Sequence, residues 1–285
     1  MSNMNYAAAI TLYNPQKDFI DNLLGYTKSF PLVIVNDNSR DNRDYRVELE
    51  NNRNILYIWD GNNYGLPISF NRSLKICEER CIDFLCTLDQ DSKLSYSSIN
   101  DIKQYIETHE MSNVGIVAPK PVDINCETSP NDTTDVVDVP WVICSGAFVN
   151  IKTLRVNNIT YDDAYFVDRF DADLCKQVYD SGLKQILLNG VKMPHACGDE
   201  NGHSILRNYY IFRNRFYFND KYYPFFQSKI RSIVQTVRHC YYLCTSQKDS
   251  IKKIKTLSVA YNDYINGRLG KICDKSLDRI NKISK

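Results

Sequence analysis

One repeated unit limits how this chain can fold: a short apolar run stops on a polar residue, and an amphipathic stretch follows. "YAAAITL" (6–12) stops at Tyr13-Asn14-Pro15, a turn signal, and residues 16–29 then carry Phe19, Ile20, Leu23 and Leu24 at helical spacing. "PLVIVNDNS" (31–39) and "NILYIWD" (54–60) repeat the pattern, and "PISFNRSLKICEERC" (67–81) reads as a helix. A fourth run ends at Asp89, and "VGIVAPKPV" (114–122) is a further strand. Strands alternating with helices predict an α/β fold, a mostly parallel central sheet flanked by helices. Such sheets bind ligands beyond the carboxyl ends of their strands. The polar residues there are Thr11 and Asn14, Asp37 and Asn38, Asp60 to Asn63, and Asp89 and Asp91. They are expected on one rim.

The stretch "LCTLDQDSKLS" (85–95) puts two carboxylates, Asp89 and Asp91, one residue apart where a buried strand ends. Two like charges that close repel unless something positive sits between them. A solvated turn is the plain alternative, since Asp is a common turn former. Paired carboxylates are hard oxygen ligands, suited to Mg²⁺ or Mn²⁺. Other phosphate-binding devices are missing: the sequence has no G-x-x-x-x-G-K-[ST] and no G-x-G-x-x-G after the first strand. An aspartate phosphohydrolase also uses D-x-D, but near its first strand, and Lys93 stands where that motif expects Thr or Val.

Charge divides the chain. Residues 203–285 hold 17 Lys and Arg against 5 Asp and Glu, whereas residues 1–202 hold 18 against 29. Two modules are expected, an acidic α/β domain over 1–203 and a helical, basic, aromatic extension over 204–285. Between the strands lies an acidic loop, 123–140, long enough to be functional or disordered. The extension, "YYIFRNRFYFNDKYYPFFQSKIRSIVQTVRHCYYLC" (209–244), mixes rings with cations. That mixture suits a membrane interface, while the acidic half argues against nucleic acid. A helical pair that packs on the core or makes a homodimer is the alternative. No run of 18 apolar residues occurs, and the polar N-terminus does not read as a secretory signal. The ten cysteines include no C-x-x-C pair, so reduced thiols in the cytoplasm are expected, with peripheral contact at the inner face of the plasma membrane.

Eight short motifs carry a resemblance: "TLYNP" (11–15), "VIVNDNS" (33–39), "NYGLPISFN" (63–71), "LDQDS" (88–92), "CSGAF" (144–148), "FVDRFDADL" (166–174), "PHACG" (194–198) and "YYIFRN" (209–214). In this order, over roughly residues 6–215, the chain resembles family 2 glycosyltransferases with the GT-A fold. "LDQDS" looks most like the rhamnosyltransferase branch of bacterial surface polysaccharide synthesis. The resemblance implies an inverting, metal-dependent transferase. It would move a sugar from a nucleoside diphosphate donor to a hydroxyl of a glycan or lipid-linked oligosaccharide, as in O-antigen or capsule assembly. The donor guesses are dTDP-rhamnose first and UDP-galactofuranose or another UDP-sugar second.

Residue by residue, the resemblance places Thr11 and Asp37 at the nucleotide base and ribose, against an Asx turn to Ser39 as the plain reading of Asp37. Asn63, Gly65 and Asn71 match the loop and helix start under the donor. Asp89 lies near ribose and metal, and Asp91 and His195 are metal ligands. Asp171 matches the base, with Asp168 its runner-up or an acceptor contact, and Asp173 stands where Glu is more usual. Ser145 and Gly146 match the acceptor-side turn, and Arg213 would touch the diphosphate, against a surface Arg on a basic helix. A zinc site of His195, Cys197 and His203 lacks a fourth ligand. The rival of another class is a non-catalytic module that binds polysaccharide or membrane.

Overall fold

The computed structural model describes residues 4–41, 44–123, 134–195 and 204–285. Strand β1 (Tyr6–Leu12) is buried at all seven positions. A strand covered on both faces shows a continuous apolar run rather than alternation, which is why the sequence reads in runs. With β2 (Leu32–Asp37), β3 (Ile55–Trp59) and β4 (Phe84–Asp89) it forms a parallel set. The helices between them are α1 (Lys17–Tyr26), α2 (Tyr45–Glu50) and α3 (Leu66–Glu79), and α4 (Tyr96–Thr108) follows β4. Helix α4 is an addition to the expected elements: it buries Ile99, Ile102 and Ile106 at helical spacing, and Ser95 caps it by accepting from Ser98 N–H.

The rest of the sheet departs from simple alternation. It comprises β5 (Val114–Asp123), β6 (Val136–Asp138), β7 (Ala147–Asn150) and β8 (Lys184–His195). The eight strands run in the order β3-β2-β1-β4-β7-β5-β8-β6. Strand β7 is inserted antiparallel to both β4 and β5, and β6 lies antiparallel on β8. The expected loop over 123–140 is therefore partly strand, because β6 occupies Val136–Asp138; residues 124–133 lie outside the described residues. Helices α5 (Ile151–Val156) and α6 (Phe170–Asp180) complete this region.

The chain divides into two compact units: Met1–Tyr161 with Asp171–Cys197, and Asp162–Phe170 with Gly198–Lys285. The first contains the sheet and an apolar core that includes Ile10, Leu12, Val35, Leu88 and Phe148. The second contains α7 (Ile205–Tyr222), α8 (Phe225–Ser246), α9 (Ser250–Ile265) and α10 (Asp274–Ser284) around Tyr209, Phe212, Phe216 and Val259. The segment Asp162–Phe170 groups with the helices rather than with the rest of 1–203. Among the described residues no helix is long and apolar enough to cross a membrane.

Candidate active site

Parallel register places the polar strand ends level. Thr11 pairs with Asn36 on one side and with Asp89 on the other, and Leu12 pairs with Asp37. Thr11 is buried and its Oγ1 has no hydrogen-bond partner among the described residues. The same holds for Oδ1 of buried Asn36, whose Nδ2 donates to Ser73 Oγ at 2.9 Å. Buried polar atoms are ordinarily bonded, so two open ones in register on neighbouring strands mark a place for a ligand group. Asn36 was missed in the sequence; the signal was a polar residue inside an otherwise apolar strand.

Asp37 is buried beside them. Its Oδ1 accepts from Ser39 N–H at 2.9 Å, and its Oδ2 accepts from the hydroxyls of Tyr45 (2.8 Å) and Tyr57 (2.6 Å). The Asx turn to Ser39 is thus present. Burial, then the bond to Asp37, pushes the Tyr57 hydroxyl well up and keeps it a donor. Next to this group Asn38 Nδ2 donates to Gly65 O and Ser69 Oγ at 3.4 and 3.3 Å. Gly65 sits at φ +82° just before α3, where a side chain would be strained. Asn63 Oδ1 accepts from Gly65 N–H at 3.0 Å and shapes the same turn. Asn71 is engaged elsewhere: its amide pairs with the backbone of Tyr161, donating to O at 2.7 Å and accepting from N–H at 2.9 Å. This amide clamps one segment of the unit to another.

The D-x-D turn is held from behind. Ser92 N–H donates to Asp89 O at 3.1 Å, while Ser92 O accepts from Asn22 Nδ2 (2.6 Å) and the Tyr26 hydroxyl (2.8 Å). That hydroxyl also accepts from Leu94 N–H at 3.1 Å, and burial pushes it up to about 12, so it stays protonated. Gln90 Oε1 accepts from Tyr13 N–H at 2.9 Å. These bonds leave Asp91 exposed, with no hydrogen bond or ion pair among the described residues, and Asp89 half-buried. Two adjacent hard carboxylates fit Mg²⁺ or Mn²⁺, ions that keep waters and phosphate oxygens in their shells. The described residues contain no group of three or more His, Cys, Asp or Glu able to hold a metal alone. His195 ends β8 opposite Asp123 in register; its side chain, with Cys197 and His203, lies outside the described residues.

Ser145 and Gly146 act inward. Ser145 is buried and its hydroxyl meets that of Ser92. Gly146 has φ +76°, donates its N–H to Thr87 O at 2.7 Å, and a Cβ there would stand 2.6 Å from Met193 Sδ. Through these contacts Ser145 is tied to Ser92 of the D-x-D turn and Gly146 to the end of β4.

Asp171 lies in the first turn of α6, half-buried, its Oδ1 accepting from Ala172 N–H at 2.7 Å. Burial raises the Cys144 thiol well above its ordinary value, and the charges of Asp89 and then Asp171 add to this. Both carboxylates are thus close enough to act on the same thiol. Asp173 is wholly buried, accepting from Gln177 Nε2 at 2.7 Å, so it is structural.

No family model matches the chain. The dTDP-rhamnosyl transferase RfbF of Shigella flexneri is 24% identical over 293 residues, spanning 94% of this chain and 98% of that protein. Among solved structures, S. aureus TarS 1–349 superposes with a TM-score of 0.61 at 13% identity, covering 93% of this chain and 82% of that one. The same protein in complex with UDP-GlcNAc gives 0.60 at 15%, with the same coverage. GalNAc-T7 with UDP, GalNAc and Mn²⁺ gives 0.57 at 8%, covering 75% and 51%. The fold is GT-A. The resemblance to family 2 rhamnosyltransferases that the motifs carry is borne out by these likenesses.

The remaining expected residues of this GT-A chain lie in the helical unit. Asp168 and Arg169 are consecutive left-handed residues, at φ +59° and +71°. Neither is glycine, so the turn is strained and needs support. Asn214 Nδ2 donates to Val167 O (2.6 Å) and Asp168 O (3.0 Å), and Arg207 forks onto the Asp168 carboxylate at 3.0 and 3.2 Å. The Asp168 carboxylate, expected at the acceptor, is thus engaged by Arg207. Asp162 is held by Lys221 (2.6 Å) and the Tyr217 hydroxyl (2.8 Å). Arg213 is corrected outright. Its side chain is wholly buried, donating to Gly270 O (2.7 Å), Asn214 Oδ1 (3.1 Å) and the Tyr209 hydroxyl (3.3 Å) and lying over the Tyr209 and Tyr210 rings. It is neither a diphosphate contact nor a surface residue, because an amphipathic guanidinium with backbone acceptors and rings around it is stable inside.

Proposed function

We propose that this chain is an inverting, metal-dependent glycosyltransferase that moves a sugar, rhamnose first, from a nucleoside diphosphate donor to a hydroxyl of a bacterial surface glycan. The observation that carries the reading is the level rim: Thr11 and Asn36 with open hydrogen-bonding capacity, in register with Asp89 and one residue from Asp37. The rim's polar atoms hold the nucleoside. Asp89 and Asp91 would hold Mg²⁺ or Mn²⁺, which when bound supplies positive charge to a leaving diphosphate. Asp171 takes the proton of the acceptor hydroxyl as its oxygen attacks the anomeric carbon. The bond to the diphosphate oxygen breaks on the opposite face, so the configuration inverts. The name of the Shigella flexneri relative favours a dTDP-linked donor. The TarS complexes with UDP-GlcNAc and UDP keep a UDP-sugar as the second choice. A lipid-linked acceptor at the inner membrane face fits the basic helical unit.

Calorimetric titration with dTDP and UDP, each with and without Mn²⁺, tests this on wild type and Asp91→Asn. Metal-dependent binding of one nucleotide, lost in the variant, is expected. No binding of either nucleotide under any condition overturns the reading.

A further inference from the structure

Helix α8 is built inside out. The side it turns to its own unit carries the small and polar residues Ser228, Ser232 and His239, with Leu243 the one large aliphatic. These inner residues are hydrogen-bonded: Asn219 Nδ2 donates to Ser232 Oγ at 2.9 Å, and His239 Nε2 lies 2.9 Å from Asn208 Oδ1. The outer side carries Phe226, Ile230, Ile233, Val234, Val237 and Tyr241, which are 59 to 79% exposed. Their spacings of four, three, one, three and four residues put them on one helical face. In a helix that met only water, burial of apolar area would turn this face inward. A continuous apolar stripe of this length marks an interaction surface.

The stripe is continuous with a groove of about 980 Å³ between α8 and α9, lined by Ile233, Val237, Ile254, Leu257 and Tyr261. Charge identifies the occupant. Across its 22 residues α8 has Lys229, Arg231 and Arg238 and no Asp or Glu. Arg231, which lies 4.0 Å over the Tyr223 ring, and Arg238 flank one edge of the stripe, while Lys229 on the other edge is ion-paired with Asp220 at 3.0 Å. Arg238 is exposed and has no ion pair among the described residues. A second copy of the helix laid antiparallel on this face would bring the Arg231 and Arg238 edge against its own like, with no carboxylate of α8 to meet it. An anionic bilayer instead offers acyl chains to the stripe and phosphates to its flanks.

We propose that α8 lies in the plane of an anionic membrane, with Phe226 to Tyr241 among the acyl chains and Arg231 and Arg238 at the lipid phosphates. This deepens the lipid-linked acceptor in the reading above and rests on it only there, since the surface stands whatever the rim binds. The test is flotation of the full chain with vesicles of phosphatidylcholine alone and with added phosphatidylglycerol. Wild type is expected to float with the anionic vesicles. Ile233→Asp with Val237→Asp is expected to stay in the aqueous fraction with an unchanged circular dichroism spectrum, because both side chains are exposed. Arg231→Gln with Arg238→Gln is expected to lower partitioning roughly 25-fold, about fivefold for each cation. Two outcomes overturn the proposal. In one, wild type ignores anionic vesicles. In the other, it forms a dimer that Ile233→Asp splits while vesicles remain unbound, which would assign the face to a second copy. Nucleotide titration of the same samples keeps the two readings apart.

Discussion

Both units have apolar cores, but they differ in how much polar structure they bury beside them and in what they leave outside. In the sheet unit the core is aliphatic and aromatic, and polar atoms collect where strands end. In the helical unit the interior includes Asn208, Arg213, Asn214, Asn219, His239 and Asp263, while much of the apolar surface of α8 faces out. The first arrangement is what water alone selects. The second adds to its apolar cluster a set of buried hydrogen bonds whose making is nearly neutral but whose breaking is costly, and its exterior suits an apolar partner. Activity and stability therefore respond to different residues in the two units.

The sharpest way to test that division is at the base. Asp171→Asn is expected to lower sugar transfer about 100- to 10,000-fold, with Tm and nucleotide binding unchanged. A variant with full transfer would remove Asp171 from the reaction. Next in size, Arg213→Leu is expected to destabilise the chain by about 1–3 kcal/mol for each buried acceptor left unpaired, since the Gly270 and Arg268 carbonyls and Asn214 Oδ1 lose their donor in a closed interior. Thermal melting reads this. If instead stability holds and dTDP or UDP binding falls, Arg213 contacts the donor after all.

Gly146→Ala probes the floor of the sheet unit. The added Cβ meets Met193 Sδ and the backbone is left-handed, so a loss of about 1–3 kcal/mol is expected in chemical denaturation. The smallest effect concerns pH. Burial would raise the Asp263 carboxyl, but hydrogen bonds from Ser276, Tyr209 and Arg268 outweigh it and hold it below its ordinary value of 3.8. A depressed folded value contributes stability that is present above 3.8 and is lost as pH falls through the lower folded value. Acid titration followed by circular dichroism should therefore show extra loss of helix below about pH 4 in wild type, and less of it in Asp263→Asn.

Much of the fold was legible because strand runs and helical spacing are local. The ends of β1, β2 and β4 fall within a residue or two of the runs, and the rim of Thr11, Asp37 and Asp89 follows from parallel pairing. The insertion of β7 was not legible. "AFVN" is only four strand residues, and its place between β4 and β5 rests on pairings with residues around 85 and 117. The partners of Ser145, Gly146 and Asn71 were not legible either, since Ser92, Met193 and Tyr161 are 53, 47 and 90 positions away.

The sequence by itself determined the parallel alternation and the pair of carboxylates at the close of β4, because strand period, strand termination and the i, i+2 relation of Asp89 and Asp91 are all set within a few residues. Only the tertiary structure decided that Arg213 goes inside and that Phe226, Ile230 and Ile233 stay outside. Neither outcome follows from the hydropathy of the residue. A guanidinium is stable in an interior that supplies carbonyls from residues 268 and 270 and the rings of Tyr209 and Tyr210. The α8 stripe stays out because the opposite face of that helix bonds to Asn208 and Asn219 on α7.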